Sequence, residues 1–171
     1  MRFTVILVLI SMMCCSRTYA QMENEDISHE LYIFIHESCK ISQYYMPLLD
    51  SLHDQYQGST RFIGVFPNSS STQEGIDSFR SKFGIEFEFF MDYEKELTKN
   101  YEATVTPEIV LVEKSSGQIL YRGRIDDSYF RVGKRKTIKQ TQELVDLLSL
   151  VANGDKIEVP WATAIGCFIQ M

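Results

Sequence analysis

The chain has 171 residues, 44% of them hydrophobic and 12% aromatic, with 17 Lys and Arg against 23 Asp and Glu for a formal net charge of −6. That is one domain's length with enough apolar side chain for a sizeable core. Its acidity argues against binding nucleic acid or an anionic membrane face by bulk charge.

Residues 1–20 read as a secretory signal peptide. Arg2 gives a short basic start, 3–13 an apolar run too short to span a bilayer, and Thr18-Tyr19-Ala20 a small-residue cleavage site before Gln21. A competing reading, lipid modification at Cys14 or Cys15, is less favoured because Met13 and Cys14 are poor small-residue neighbours. The expected product is exported, periplasmic or extracellular, and free of the membrane once the leader is cut. The leader carries Arg2, Arg17 and no acidic residue, so 21–171 holds 15 basic and 23 acidic side chains, a net charge of −8. Two of the four cysteines leave with it. Cys39 and Cys167 remain, a disulfide candidate in an oxidising compartment.

Residues 21–30 form a polar lead-in. The nearly continuous apolar run 31–35 then reads as a strand covered on both faces, and Ile41, Tyr44, Tyr45, Leu48, Leu49, Leu52 and Tyr56 recur at helical spacing. Cys39 falls at the junction. The unpaired N–H groups of a first helical turn point toward that position and favour thiolate over thiol, with Lys40 helping and Glu37 opposing. After a turn at 57–59, residues 61–66 read as a second buried strand, and a helix between two strands implies a right-handed crossover and parallel pairing. Ser71 or Thr72 is placed to cap a helix carrying Ile76, Phe79, Lys82 and Phe83 on one face. Asn68-Ser69-Ser70 matches a glycosylation acceptor, although a plain loop is the better reading of so short a match.

Phe87, Phe89, Phe90 and Met91 make a short apolar segment, followed by a helical stretch over 93–101 and then Thr104-Val105-Thr106-Pro107. Residues 109–112 and 119–125 read as an antiparallel hairpin about Ser115-Ser116-Gly117. A long polar loop holds Asp126, Asp127 and the basic cluster Lys134, Arg135 and Lys136. The last helix is expected over 138–152, with Leu144, Leu147, Leu148 and Val151 on one face. The tail 155–171 carries Pro160, Trp161, Gly166 and Cys167, and its glycine suggests movement.

This order of strand, cysteine-bearing helix, strand, helix, Thr-Pro, hairpin and helix resembles the thioredoxin fold, an α/β three-layer architecture with a central mixed sheet and helices on both faces. Pro47, eight residues after Cys39, and Pro107, just before the hairpin, stand where that family has its helix-kinking proline and its cis-proline. The insert 87–101 and Thr106-Pro107-Glu108 are similar to the redoxin branch, which holds peroxiredoxin-like and thiol-disulfide exchange proteins. Cys39-Lys40-Ile41-Ser42-Gln43-Tyr44-Tyr45, Tyr121-Arg122-Gly123-Arg124-Ile125-Asp126-Asp127 and Gly166-Cys167 resemble a bacterial group of exported, single-cysteine redoxin-domain proteins. Two departures matter. Ser42 stands where a CxxC protein has its second cysteine, and His36 and Tyr32 occupy the places of a peroxiredoxin's Thr and Pro.

The expected chemistry is thiol-disulfide exchange with Cys39 as an exposed nucleophile. Cys167 is its partner or resolving sulfur, and the alternative is a static staple of the tail. Ser42 could donate a hydrogen bond to the thiolate or be only a solvated first-turn residue. The resemblance implies that Thr106 presents its backbone beside the sulfur, shaped by a cis Pro107, for an extended substrate strand. His36 is a weaker candidate as proton acceptor. Arg122 and Arg124 are expected to pair with Asp126, Asp127 or Glu108, and Tyr44, Tyr45 and Trp161 to serve the core or dock the tail. The expected partners are protein thiols or disulfides and a protein electron donor, with no organic cofactor. Two alternatives stay open: a soft-metal carrier holding Cu(I) on Cys39, Cys167 and His36, and a peroxidase in which Cys167 resolves a sulfenic acid.

Overall fold

The computed structural model describes residues 27–171; the expected leader, Cys14, Cys15 and the start of the polar lead-in lie outside the described residues. The elements follow as β1 (His29–Phe34), α1 (Lys40–Tyr56), β2 (Thr60–Phe66), α2 (Gln73–Phe83), β3 (Glu88–Met91), α3 (Glu96–Asn100), β4 (Val105–Thr106), β5 (Glu108–Glu113), β6 (Ile119–Gly123), β7 (Tyr129–Arg131), β8 (Lys134–Arg135), α4 (Glu143–Asn153) and β9 (Cys167–Phe168). The central sheet has the order β3-β2-β1-β5-β6. β1 runs parallel to β2 and β2 to β3, while β5 is antiparallel to both β1 and β6.

Alternation along the strands divides the core. Leu31, Ile33 and Ile35 face a large cluster with Ile109 and Leu111, covered by α1, α2 and α4. Phe34, Val110 and Val112 face a smaller one, covered by Tyr101, Ala103 and Leu97 at α3 and, from the tail, by Ile169. The continuous apolar run at 31–35 is thus the signature of a strand packed on both sides. On α1, Ile41, Tyr45, Met46, Leu49 and Leu52 are buried. Tyr44 stays partly exposed and meets Tyr129 of β7 edge-on at 5.4 Å, which seats the β7–β8 hairpin on this helix.

Several elements differ from the sequence expectation, each for a visible reason. The cap of α2 is Thr72, whose Oγ1 accepts the Gly75 N–H at 3.1 Å, whereas Ser71 donates to Glu37. The helix in the insert shrinks to Glu96–Asn100, because the Asp92 carboxylate accepts the N–H groups of Leu97 and Thr98 and so fixes its start. The last helix begins at Glu143. Asp127 takes the N–H groups of Gln140 and Thr141 at 2.9 and 3.2 Å, holding 136–142 as a loop and leaving Ile138 76% exposed. The supposed polar loop contains the β7–β8 hairpin, turned at Gly133 (φ 72°). Arg122 pairs with Glu102 and Arg124 with Glu143, not with the expected aspartates or Glu108. Among the described residues no helix is long and apolar enough to cross a membrane.

Candidate functional site

Cys39 is the N-cap of α1, with extended backbone (φ −74°, ψ 117°); its carbonyl accepts the first helical bond from Gln43 N–H at 2.9 Å. No side chain caps this helix, so the first-turn N–H groups are left facing the sulfur's neighbourhood. Ser42, one turn on, is fully buried and accepts the His36 N–H at 3.4 Å.

The second wall comes from 104–107. The Thr106–Pro107 peptide is cis, and the Thr106 carbonyl lies 3.2 Å from Cys39 Sγ, where a thiol would donate to it. Glu108 shapes this stretch, its buried carboxylate accepting the N–H groups of Thr104 and Val105 at 2.8 and 3.3 Å. The sequence reading had no role for Glu108 beyond an ion pair. Its position three residues past Val105 in a Thr-Pro-Glu turn was the available signal.

The third wall is the tail. β9 pairs antiparallel with β4, Cys167 opposite Thr106 and Phe168 opposite Val105. Ile169 N–H continues the pairing to Thr104 O at 3.0 Å, and Gln170 N–H donates to Asn68 Oδ1 at 2.9 Å. Asn68 is buried by this use, consistent with the plain-loop reading of 68–70. Gly166 does not loosen the tail as expected. A Cβ at that position would collide with the Thr106 backbone, so glycine is what lets the two chains touch. Gly123 does the same for Ala162 at φ 153°, the Ala162 carbonyl accepting the Arg124 N–H at 2.9 Å. Trp161 caps this contact, its ring under Arg122 and its N–H donating to Leu120 O.

The result brings Cys167 Sγ to 2.9 Å from Cys39 Sγ, both as free thiols. It also overturns one expectation. Cys39 is only 2% exposed, covered by Thr106 and Cys167, and the sulfur that borders an open groove is Cys167. Burial pushes the Cys39 thiol up. Hydrogen bonds from Cys167, from the Ser42 N–H and hydroxyl, and from the Ile41 N–H outweigh it, leaving Cys39 below an ordinary thiol. Burial and the neighbouring Cys39 charge push Cys167 up to about 11. Of the two thiols, Cys39 is therefore the more readily ionised.

Other expected contributors turn away. Lys40 donates to Gln43 and Glu37 accepts from Ser71. His36 Nε2 lies 3.2 Å from Ser70 Oγ and 3.7 Å from Glu37. Among the described residues no three His, Cys, Asp or Glu side chains gather into a metal site, so His36 does not complete a set with the two cysteines.

No protein-family model matches the chain, and no curated protein matches it by sequence. Solved structures do match. A conserved protein of Geobacillus kaustophilus described as uncharacterized aligns with a TM-score of 0.74 at 21% identity, covering 84% of this chain and 77% of its own. A thioredoxin-like protein from Aeropyrum pernix aligns at 0.55 and 19%, covering 76% and 80%. A secreted Mycobacterium tuberculosis disulfide oxidoreductase homologous to E. coli DsbE aligns at 0.52 and 17%, covering 74% and 81%. The fold is thioredoxin-like. Within it, the cysteine at the mouth of α1 and the cis-proline loop fall side by side, and a C-terminal strand fills the space against them.

Proposed function

We propose that this thioredoxin-like protein carries out thiol-disulfide exchange with protein thiols or disulfides, using Cys39 and Cys167 as an internal redox pair in an exported compartment. The observation that carries it is the 2.9 Å approach of the two sulfurs at the helix mouth. A bond of about 2.05 Å needs each sulfur to move only a few tenths of an ångström. The signal-like leader and the secreted disulfide oxidoreductase among the structural neighbours support export and activity.

In this reading the residues have distinct tasks. Cys39 is the more readily ionised sulfur, its thiolate favoured by Ser42 and the first-turn N–H groups, and Cys167 is the partner thiol beside it. Thr106 sets the strand against which Cys167 lies, and Pro107 turns that strand into β5. Forming the internal bond removes two electrons from the pair, with the protons its thiols still carry released to solvent, and a substrate dithiol returns the two electrons as it is itself oxidised. A thiolate favoured over its thiol stabilises the reduced state, which makes the oxidised pair a readier electron acceptor than a structural staple.

The test is peptide mapping without reductant after oxidation by a small disulfide, followed by equilibration in glutathione buffers. The expected result is a Cys39–Cys167 bond with a potential between about −270 and −120 mV, the span of exchange proteins. A bond that persists below about −300 mV would make it a staple, and no bond would sink the pair.

A further inference from the structure

We propose that the sulfur an incoming thiolate attacks is Cys167, not Cys39, and that the groove beside it selects a peptide cysteine flanked by acidic residues. The proposal rests on the redox-pair reading above and assigns its direction and substrate class.

Access decides the sulfur. A thiolate opens a disulfide by attacking one sulfur and expelling the other, so the attacked atom must be reachable. Cys39 is 2% exposed under Thr106 and its partner. Cys167 borders a groove of about 550 Å³ whose walls include Ile41, Tyr129 and Val132. The leaving group agrees with this choice, since Cys39 is the sulfur better stabilised as a thiolate by Ser42 and the helix N–H groups.

Charge decides the substrate. Lys40 and Arg135 line the groove, with Arg131 and Lys134 on the same hairpin. Among the described residues none of these four is within ion-pair distance of a carboxylate, whereas the next two cations along, Lys136 and Lys139, are matched by Asp127 and Asp126. The four together make a local basic patch on a chain of net charge −6. Arg135 lies over the Tyr44 ring at 5.0 Å, which holds its guanidinium at the groove. Phe168, 84% exposed beside Cys167, and Val132, 60% exposed, offer an apolar rest for a peptide chain. An acidic peptide is drawn to such a site and a basic one repelled.

The reaction balances as follows. The substrate thiolate attacks Cys167 Sγ, forming a substrate–Cys167 disulfide as the internal bond breaks and Cys39 leaves as thiolate. A second substrate thiolate then attacks the substrate sulfur, forming the substrate disulfide and releasing Cys167, which takes up a proton. Two electrons pass from the substrate dithiol to the protein. A disulfide-bearing oxidant, oxidised glutathione in the test, regenerates the internal bond.

The full chain, oxidised and shown by mass to carry its internal bond, is mixed with single-cysteine peptides flanked by Glu or by Lys, quenched in acid at the earliest times and mapped. The expected outcome is the peptide on Cys167 with Cys39 free, and the Glu peptide reacting about tenfold faster than the Lys peptide, as steering of this kind allows. That preference should fall toward unity in Lys40→Ala/Arg135→Ala and in about 0.5 M salt. The first adduct on Cys39, equal rates for the two peptides, or glutathione outpacing the Glu peptide would each overturn the proposal. If no internal bond forms in the first step, it is the redox pair that fails, a result separable from all of these.

Discussion

The two cysteines are held by opposite kinds of structure. Cys39 sits in a frame built from one continuous stretch of chain, a strand packed on both faces running into a 17-residue helix. Cys167 sits in a two-residue strand whose position depends on Gly166 meeting Thr106, Gly123 meeting Ala162, and Ile169 plugging the smaller core. The first sulfur is fixed by local periodicity and the second by long-range contact. One side of the pair is therefore built into continuous secondary structure, while the other is held by a few contacts that can be broken singly.

The largest break comes from removing the sulfur at the helix mouth. Cys39→Ser is expected to reduce exchange with a dithiol substrate to background while leaving the fold intact, since Ser keeps the volume of a buried side chain nearly unchanged; insulin or peptide oxidation assays with circular dichroism check both halves. Next comes the contact that seats Cys167. Gly166→Val would drive a branched side chain into the Thr106 backbone, displacing β9 and costing about 1–3 kcal/mol by the usual scale for overpacking. Formation of the internal bond should slow at least as much as stability falls, and the same substitution at Gly58, where a Cβ would meet nothing, serves as the control. Equal bond formation in Gly166→Val and wild type would show that the tail is positioned by something other than this contact.

The contrast also explains what the sequence could and could not reveal. The strand 31–35, the helix beginning beside Cys39, and the Thr-Pro before a hairpin are all periodic or punctuated locally, so the fold and half of the site were readable. β4 and β9 are two residues each, too short to show a period, and a lone glycine before a cysteine is equally a hinge or a point of close approach. Gly166 was read as the former and is the latter. The burial of Cys39 was equally invisible, because its cover lies 128 residues away in the chain. The β7–β8 hairpin escaped since Lys134, Arg135 and Lys136 read as part of a polar loop, while the aromatic contact that anchors it joins Tyr44 to Tyr129. Asp127 orders the loop before α4 by claiming the N–H groups that an earlier helix start would have needed.

A smaller effect sharpens the division of charge between the two sulfurs. Burial raises Cys39, and the hydrogen bond from Cys167 is the largest influence pulling it back below its ordinary 9.0. In the reduced protein the first thiolate should appear, by absorbance at 240 nm, with a midpoint below 9, and the second only near 11. Linkage gives these opposite signs. Cys39, lowered on folding, adds stability as pH rises through the interval up to 9.0; Cys167, raised, contributes stability below 9.0 that is lost as pH rises toward 11. Cys167→Ala removes the donor and should move the single remaining midpoint upward. A midpoint that stays where it was would assign the acidity to Ser42 and the helix end alone.

The smallest effect tests whether the groove and the sulfur pair are mechanically separate. Asp127 is held down to about 2 against an ordinary 3.8: burial opposes its charge, but Lys136 and the N–H groups of Gln140 and Thr141 outweigh burial. Since its folded value is the lower one, its contribution is complete above 3.8 and disappears as pH falls toward 2. Asp127→Asn keeps one acceptor for the backbone but gives up the ion pair, for an expected loss of about 1 kcal/mol at neutral pH. The gap in melting temperature between variant and wild type should therefore close as pH is lowered from 4 to about 2. Asp127 touches the loop behind the hairpin and neither cysteine, so the titration of Cys39 and the rate of internal bond formation should be those of the wild type. Selection for acidic over basic peptides should strengthen slightly, because a carboxylate is lost and Lys136 joins the unmatched cations beside Arg135. A variant whose thiol titration shifted along with its peptide preference would show that the hairpin and the sulfur pair are mechanically coupled, and the division between groove and sulfurs would have to be redrawn.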